Sequence, residues 1–256
     1  MCIRDRIRSI FIPEKEHEWG IFDYSQQEPR LVVHYANKNG FPGAGKFLDS
    51  YQKDSTTDFH TMVSEIADIP RKQAKTINLG LFYGMGKGKL MSELGVNIEE
   101  ATELLQSYHE RVPFVKKLTY DTQGIASKNG FLTTIQGRRC RFDLWESELE
   151  WGKKALPEEE AEREYGKKAI KRAWTYKALN KLIQGSAADQ IKTAMVHLHR
   201  EGYVSHIQVH DELDFSVASD ADKAKIKEIM ETCLPKLEVP SKVDVECGDN
   251  WGDAGD

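Results

Sequence analysis

The sequence predicts an α+β protein, and three observations carry that expectation. Trp19-Gly20-Ile21-Phe22 is a short apolar run that stops at a polar turn beginning with Asp23, the mark of a strand. His206 to Val217 alternates with period two around a central turn, the mark of a hairpin. Between them, segment after segment carries apolar residues at helical spacing, so most of the middle is helical.

A chain of 256 residues is long enough for one large domain or two interlocked ones with a real core. Its 30% charged and 39% hydrophobic residues describe a soluble globular protein rather than a disordered one. The balance of 36 Lys+Arg against 41 Asp+Glu, a formal charge of -5, argues against nonspecific coating of nucleic acid through bulk charge, so local patches must carry any such binding. Cys2, Cys140, Cys233 and Cys247 are too scattered for a disulfide framework and contain no C-x-x-C pair for zinc, which points to a reducing compartment. With no 18-residue apolar run and no signal-peptide core near Met1, neither membrane insertion nor secretion is expected, and the location expected is cytoplasmic.

In chain order, Met1 to Arg8 is short and charged, and Ile10-Phe11-Ile12 reads as strand-like. Asp23 closes the next strand, where it suits either a metal ligand or the cap of a helix that starts around Pro29 with Leu31, Val32 and Tyr35 inward. After a glycine-rich loop at Gly40–Gly45, Lys46–Tyr51 and Phe59–Ile66 read as short helices. Asp68 is the expected N-cap and Pro70 an early residue of the helix from Arg71 to Gly84. At about 100° per residue, Arg71, Lys75, Leu79 and Tyr83 share one broad stripe, cationic at its start and aromatic at its end. A helix N-terminus with two cations is a ready phosphate site, and an aromatic ring two turns on can stack on a base. The alternative is an ordinary amphipathic helix with solvated charges and a core-facing Tyr. His60, just upstream, is a candidate supporting anion contact.

Asn97–Tyr108 and Phe114–Ser127 carry helical periodicity, and Phe131–Ile135 alternates like a strand. The strand leads into Gly137-Arg138-Arg139-Cys140-Arg141, a hairpin-like turn whose guanidiniums suit a nucleic-acid backbone or simply solvent. Glu146–Glu164 reads as a solvated charged insertion. A positive stripe follows from Lys167 to Lys181, interrupted by Trp174 and Tyr176. The next helix runs to about His199. Its Asn180 and Gln184, four apart, share a face suited to base edges in a minor groove, and its Gly185–Ala188 segment suits close packing on a strand. In the final hairpin Ile207, Val209, Leu213, Phe215 and Val217 are expected on one buried face, with the turn near His210-Asp211-Glu212. Neighbouring Asp and Glu side chains at such a tip repel each other unless a cation is present. A helix over Ala221–Cys233 and a strand over Lys242–Cys247 end the pattern.

A cationic helix start, a strand-end Asp and a hairpin-tip Asp-Glu are together the set that phosphoryl transfer requires. Two carboxylates can hold two divalent ions, Arg and Lys neutralise departing phosphates, and Mg²⁺ suits hard oxygen ligands. The stretches Asp23-Tyr24-Ser25-Gln26-Gln27-Glu28-Pro29-Arg30, Arg71-x-x-x-Lys75-x-x-x-Leu79-x-x-x-Tyr83-Gly84 and Gln208-Val209-His210-Asp211-Glu212 resemble, in order, motifs A, B and C of the family A (polymerase I type) DNA polymerases. Gln184–Asp189 resembles the family's segment before motif C, and Asn250-Trp251 its C-terminus, so the resemblance covers nearly the whole chain from about Arg6.

The resemblance implies an antiparallel palm sheet in residues 1–40 and 176–256, with mostly helical fingers inserted over 41–175. It implies two Mg²⁺ ions on Asp23, Asp211 and the Tyr24 carbonyl, with Glu212 beside them. Arg71, Lys75 and His60 would hold the incoming triphosphate, with Lys75 also protonating pyrophosphate. Glu28 would be the steric gate against a ribose 2′-OH, held near Tyr83, with Gln26 and Leu79 also at the nucleotide. Tyr83 would stack at the templating position, Asn180 and Gln184 would touch the minor groove, His210 the primer end, and Arg138 and Arg139 the DNA backbone. The implied partners are primer-template DNA, deoxynucleoside triphosphates and a processivity factor bound to upstream domains.

Leu79 departs from the family's Phe or Tyr, which implies slower incorporation and rejection of dideoxynucleotides. Gln27 and Pro29 replace apolar residues, and the acidic insertion resembles phage-type members. A thumb and often an exonuclease precede motif A in the family, so the chain is expected to be the C-terminal piece of a longer enzyme and to bind primer-template poorly by itself. Two rival readings remain: a single-subunit RNA polymerase-like enzyme, against which Glu28 and the Asp211-Glu212 pair speak, and a non-catalytic nucleic-acid-binding remnant, against which both aspartates speak.

Overall fold

The computed structural model describes residues 3–150 and 152–255; Met1 and Cys2, read above, lie outside the described residues. The chain begins with α1 (Ile3–Arg8), β1 (Glu18–Tyr24) and α2 (Gln27–Lys38). A helical run follows: α3 (Ala44–Lys53), α4 (Phe59–Ala67), α5 (Arg71–Phe82), α6 (Lys87–Leu94), α7 (Ile98–Arg111) and α8 (Pro113–Asn129). Short strands β2 (Phe131–Thr133), β3 (Arg139–Arg141) and β4 (Trp145–Ser147) precede α9 (Glu158–Tyr165) and β5 (Ile170–Arg172). After a single 3-10 turn, Thr175–Lys177, come α10 (Ala178–Arg200), β6 (Ile207–Val209), β7 (Glu212–Val217), α11 (Asp220–Thr232), β8 (Val243–Gly248) and α12 (Trp251–Ala254). The fold is α+β as expected. No helix among the described residues is long and apolar enough to cross a membrane.

These elements form two compact units. The first holds the chain up to His34, Leu48–Thr57 and the chain from Ala187; the second holds Tyr35–Phe47 and Asp58–Ser186. The first is built on an antiparallel sheet of order β6-β7-β1-β8, so the strand near the start of the chain lies between two from its end. One face carries Phe22, Tyr24, Leu213, Phe215 and Val217, all buried, with Phe22 and Phe215 edge to face at 5.4 Å. α11 packs against β7 and β8, and the Tyr24 hydroxyl donates to the Met230 carbonyl at 2.6 Å. On the opposite face Trp19 and Ile21 pack with Ala254, Trp251 and Ile207.

The final hairpin corrects one expectation. Val209 pairs with Glu212 and Ile207 with Asp214, across a two-residue turn at His210-Asp211. Such a turn pairs odd positions with even ones, so Ile207 and Val209 join the face of Glu212 and Asp214, not that of Leu213, Phe215 and Val217. Ile10-Phe11-Ile12 forms no strand; Ile10 and Ile12 are each 71% exposed, and the segment is held by the Trp251 N–H donating to the Phe11 carbonyl. Asp68 does not cap α5. It ends α4 in the left-handed region at φ 53°, its N–H donating to the Ser64 carbonyl, and Pro70 with extended backbone leads into α5.

The second unit is mostly helical. Phe47, Phe59, Phe82 and Phe114 pack together at its centre, with centroids 5.1–6.0 Å apart in contacting pairs. α7 starts on a capping box, the Asn97 side chain accepting from the Glu100 N–H while the Glu100 carboxylate accepts from the Asn97 N–H. The arginine-rich turn does close a hairpin, β2 pairing with β3. α10 lies close against it at Gly185, where a Cβ would come within 2.9 Å of the Thr134 methyl. The small-residue segment therefore serves close packing.

Candidate active site

In the first unit the residues of interest sit on the sheet's acidic face. Because directly opposed residues of antiparallel strands project to the same side, the pairings of Asp23 with Glu212 and of Asp23 with Asp244 put three carboxylates in one row across β7, β1 and β8. Asp211 adjoins the row at the hairpin tip, and its carbonyl accepts from the Tyr24 N–H at 3.2 Å. The neighbouring His210 carries φ 55°, a left-handed conformation that an ordinary side chain rarely adopts.

The electrostatics follow from that row. Burial, and then the negative charges of Asp211, Glu212, Asp244 and Glu246, push the Asp23 carboxyl up to about 7. Burial also raises Asp211. Of the acidic side chains in the row, Asp244 has its own cation, Lys242 at 2.6 Å, which outweighs burial and keeps it below the usual range. Glu212 accepts from the Trp251 indole N–H at 3.3 Å. No group of three His, Cys, Asp or Glu side chains among the described residues forms a ready-made metal cage. Mg²⁺ fits such a site nonetheless, because it is commonly bound by one or two carboxylates and completed by water and substrate phosphate.

The loop after Asp23 is locked from behind. Arg30 is buried, and its guanidinium donates to the carbonyls of Ser25, Pro240 and Ser55 at 2.8, 2.6 and 2.7 Å while lying over the Tyr51 ring. Gln27 is buried and donates to Gln190 at 3.2 Å. Gln26 takes φ 52°, and Glu28 remains half-buried at the start of α2. These contacts explain the polar Gln27 that sequence reasoning marked only as a departure.

In the second unit α5 presents the expected stripe outward. Arg71 and Lys75 are exposed, Leu79 is half-buried, and Tyr83 is 43% exposed at the helix end, so it is not the core-facing Tyr of the alternative reading. Arg71 is tied to Asp58 at 2.7 Å and donates to Thr61 at 3.1 Å. His60 lies beneath the helix, 6% exposed, its Nδ1 3.0 Å from the Asn78 amide nitrogen; burial lowers its pKa, so the ring is neutral with the proton assigned to Nε2. Asn78 in turn accepts from the buried Tyr108 hydroxyl at 2.6 Å. Tyr108→Phe would leave the Asn78 oxygen without its donor in a dry site, and urea unfolding should show a loss of about 1–3 kcal/mol.

The other candidates in this unit lie on α10 and the β2–β3 hairpin. Asn180 is half-buried and Gln184 exposed. Arg138 donates to the Gly185 carbonyl at 2.6 Å, and Arg139 lies 4.6 Å over the Phe131 ring. Both guanidiniums are thus partly engaged by the protein itself. Sequence reasoning missed Asp244 and Glu246, although the D-x-E alternation in the last strand was a usable signal. Arg30 closes the Asp23–Arg30 stretch but had no role assigned from sequence, and Asn78 and Tyr108 had no signal, since nothing local distinguishes a buried polar partner.

Comparison with known proteins gives this arrangement a context. The family model described as DNA polymerase family A matches residues 3–253. A DNA-directed DNA polymerase of Pseudomonas phage M6 is 38% identical across 96% of this chain, and DNA polymerase I of Bacillus subtilis (strain 168) 32% identical across 97%. The chain spans 40% and 27% of those relatives' lengths. Among solved structures, the POL domain of Pol1 from M. smegmatis, in complex with DNA primer-template and dNTP, matches 98% of this chain and 43% of its own, with a TM-score of 0.76 and 29% identity. The family match runs through all three stretches singled out above, the Asp23 loop, the α5 stripe and the Asp211 hairpin, and the chain belongs to DNA polymerase family A.

Proposed function

We propose that the chain is the palm and fingers portion of a template-directed DNA polymerase that adds deoxynucleotides to a primer 3′ end. Residues 1–40 and 176–256 are read as palm and 41–175 as fingers. The observation that carries the reading is the row of mutually repelling carboxylates centred on Asp23, which calls for cations. A primer-template and dNTP complex of a similar fold supports the partners named here.

Asp23 and Asp211, with the Tyr24 carbonyl, would hold two Mg²⁺ ions, which when bound activate the attacking hydroxyl and stabilise the leaving oxygen. Arg71 and Lys75 would neutralise the triphosphate, Arg71 exchanging Asp58 for a phosphate, and Lys75 Nζ would give a proton to departing pyrophosphate. His60, neutral, would offer its Nε2–H as a further donor. Glu28 would exclude a 2′-OH, Gln26 and Leu79 would bound the sugar and base, and Tyr83 would stack at the templating position. Asn180 and Gln184 would read the minor groove, His210 would touch the primer end, and Arg138 and Arg139 would meet backbone phosphates. A cytoplasmic location and a processivity factor on further domains belong to the same reading.

The test is Mg²⁺-dependent primer extension with deoxy-, ribo- and dideoxynucleotides. Deoxynucleotides are expected to be used and the other two rejected, the dideoxy substrate because Leu79 supplies neither ring stacking nor a hydroxyl. Preferential use of ribonucleotides would assign an RNA polymerase, and equal use of dideoxynucleotides would remove the role given to Leu79.

A further inference from the structure

His60, Asn78 and Tyr108 come from α4, α5 and α7, and their polar atoms form a single file inside the second unit. The Tyr108 hydroxyl lies 2.6 Å from Asn78 Oδ1, and Asn78 Nδ2 lies 3.0 Å from His60 Nδ1. Tyr108 and Asn78 are fully buried. Burial pushes the Tyr108 phenol well above its usual range, so the hydroxyl keeps its proton. Burial also holds the His60 ring neutral, with Asp58 opposing and Lys75 and Arg71 acting in the same direction as burial.

Such a file can be polarised in two ways, because an amide has a donor end and an acceptor end and a neutral imidazole has one donor and one acceptor nitrogen. In the first, Tyr108 donates to Asn78 and Asn78 donates to His60 Nδ1, which leaves the ring proton on Nε2. In the second the amide is turned round: His60 donates from Nδ1 to Asn78, Asn78 donates to the phenol oxygen, and Nε2 becomes an acceptor. This second arrangement strands the Tyr108 proton, since among the described residues the hydroxyl has no hydrogen-bond partner besides Asn78. A buried donor without an acceptor disfavours it by about tenfold or more.

Only the first arrangement suits an anion. A phosphate oxygen accepts hydrogen bonds, so an Nε2–H attracts it and a bare Nε2 lone pair repels it. We propose that Tyr108 is a positioning residue for the incoming triphosphate: through Asn78 it fixes the tautomer in which His60 presents its Nε2–H. The role at the triphosphate rests on the polymerase reading, whereas control of the tautomer rests on the three side chains alone.

The test compares the protein with Tyr108→Phe, His60→Gln and the double variant. Proton–nitrogen correlation spectra of the imidazole rings near neutral pH read the tautomer directly; the chain has eight histidines, so His60 is identified by the signals lost in His60→Gln. The parent is expected to carry the His60 proton on Nε2. Tyr108→Phe removes the proton that would be stranded, so the amide can take either orientation and both tautomers become populated. With the donor form cut to about half, the KM for the deoxynucleotide in primer extension should rise about twofold with little change in kcat. In the His60→Gln background, where the side-chain amide donates without help from Tyr108, Tyr108→Phe should leave KM where it is. A proton on Nδ1 in the parent would overturn the proposal, and that spectrum decides even where the variant is too unstable to study. An unchanged tautomer in Tyr108→Phe would overturn it as well, whatever the polymerase does. Primer extension with an equal rise of KM in both backgrounds would mean loosened packing and would remove the role at the triphosphate, as would an unchanged KM beside a changed tautomer. A changed tautomer in a protein that extends no primer would uphold the control by Tyr108 and remove the polymerase reading.

Discussion

Asp211→Ala is expected to lower the rate of primer extension by at least about 10³-fold while leaving the fold intact. Asp211 sits at the hairpin tip, and its bond to the rest of the sheet is made by its carbonyl, which the substitution keeps. The carboxylate itself contributes repulsion: burial raises its pKa, and it adds to the charge that raises Asp23. Its removal should therefore leave the melting temperature unchanged or slightly higher. What disappears is one of the two hard ligands proposed for divalent ions, whose stabilisation of developing charge is worth several kcal/mol. Single-nucleotide extension assays and thermal melts of the same preparation check both halves. Extension within about tenfold of the parent would reject the metal role of Asp211.

The second large effect concerns stability. Asp214 is fully buried, opposite Ile21 and Ile207, with the Glu212 carboxyl as its near neighbour on the same face. Burial first, and then the charge of Glu212 on the same face, push its carboxyl up to about 8, with Arg8 opposing. A carboxyl that keeps its proton in the folded state to near pH 8, and loses it near 4 when unfolded, stabilises least at high pH. Its contribution is intact below about pH 4 and is lost as pH rises through about 8. Asp214→Val, which places a β-branched residue on a strand and removes a buried carboxyl beside another acid, is expected to stabilise the protein by about 1–3 kcal/mol at pH 8 and to flatten the fall between pH 5 and 8. Urea unfolding at the two pH values measures this. A variant less stable than the parent at both would show that the contact with Glu212 outweighs the cost of burying the carboxyl.

The contrast between these two aspartates shows where sequence reading works. Asp211 was legible because it sits at a predicted turn beside another acid, an arrangement that is costly in isolation. Asp214 was not, because its burial depends on which way the two-residue turn hands the alternation from β6 to β7. A naive count put Ile207 and Val209 with Leu213, whereas the pairing register put them with Asp214. The same limit explains Asp68: it has the right type and spacing to cap α5, yet the end of α4 claims its backbone first. Ile10-Phe11-Ile12 had the composition of a strand but no neighbouring strand to pair with, and the hydrogen bonds of a strand come from its neighbour.

The sequence by itself determined the α+β class, the strands β1, β7 and β8, the longer helices, the outward stripe of α5 and the three motif stretches, because periodicity, capping and turn chemistry act between residues a few positions apart; it did not reveal α1, α6, α9, α12 or the short strands β4 and β5, where Glu146–Glu164 reads only as a solvated insertion. Only the tertiary structure decided that Asp23, Glu212 and Asp244 form one row, that Arg71 is held by Asp58, that His60 leans on Asn78 and Asn78 on Tyr108, and that Tyr176 stands beside Gly84. Those relations join residues far apart in the chain. Strand register and burial set them, and both depend on the whole packed unit rather than on any local run of residues.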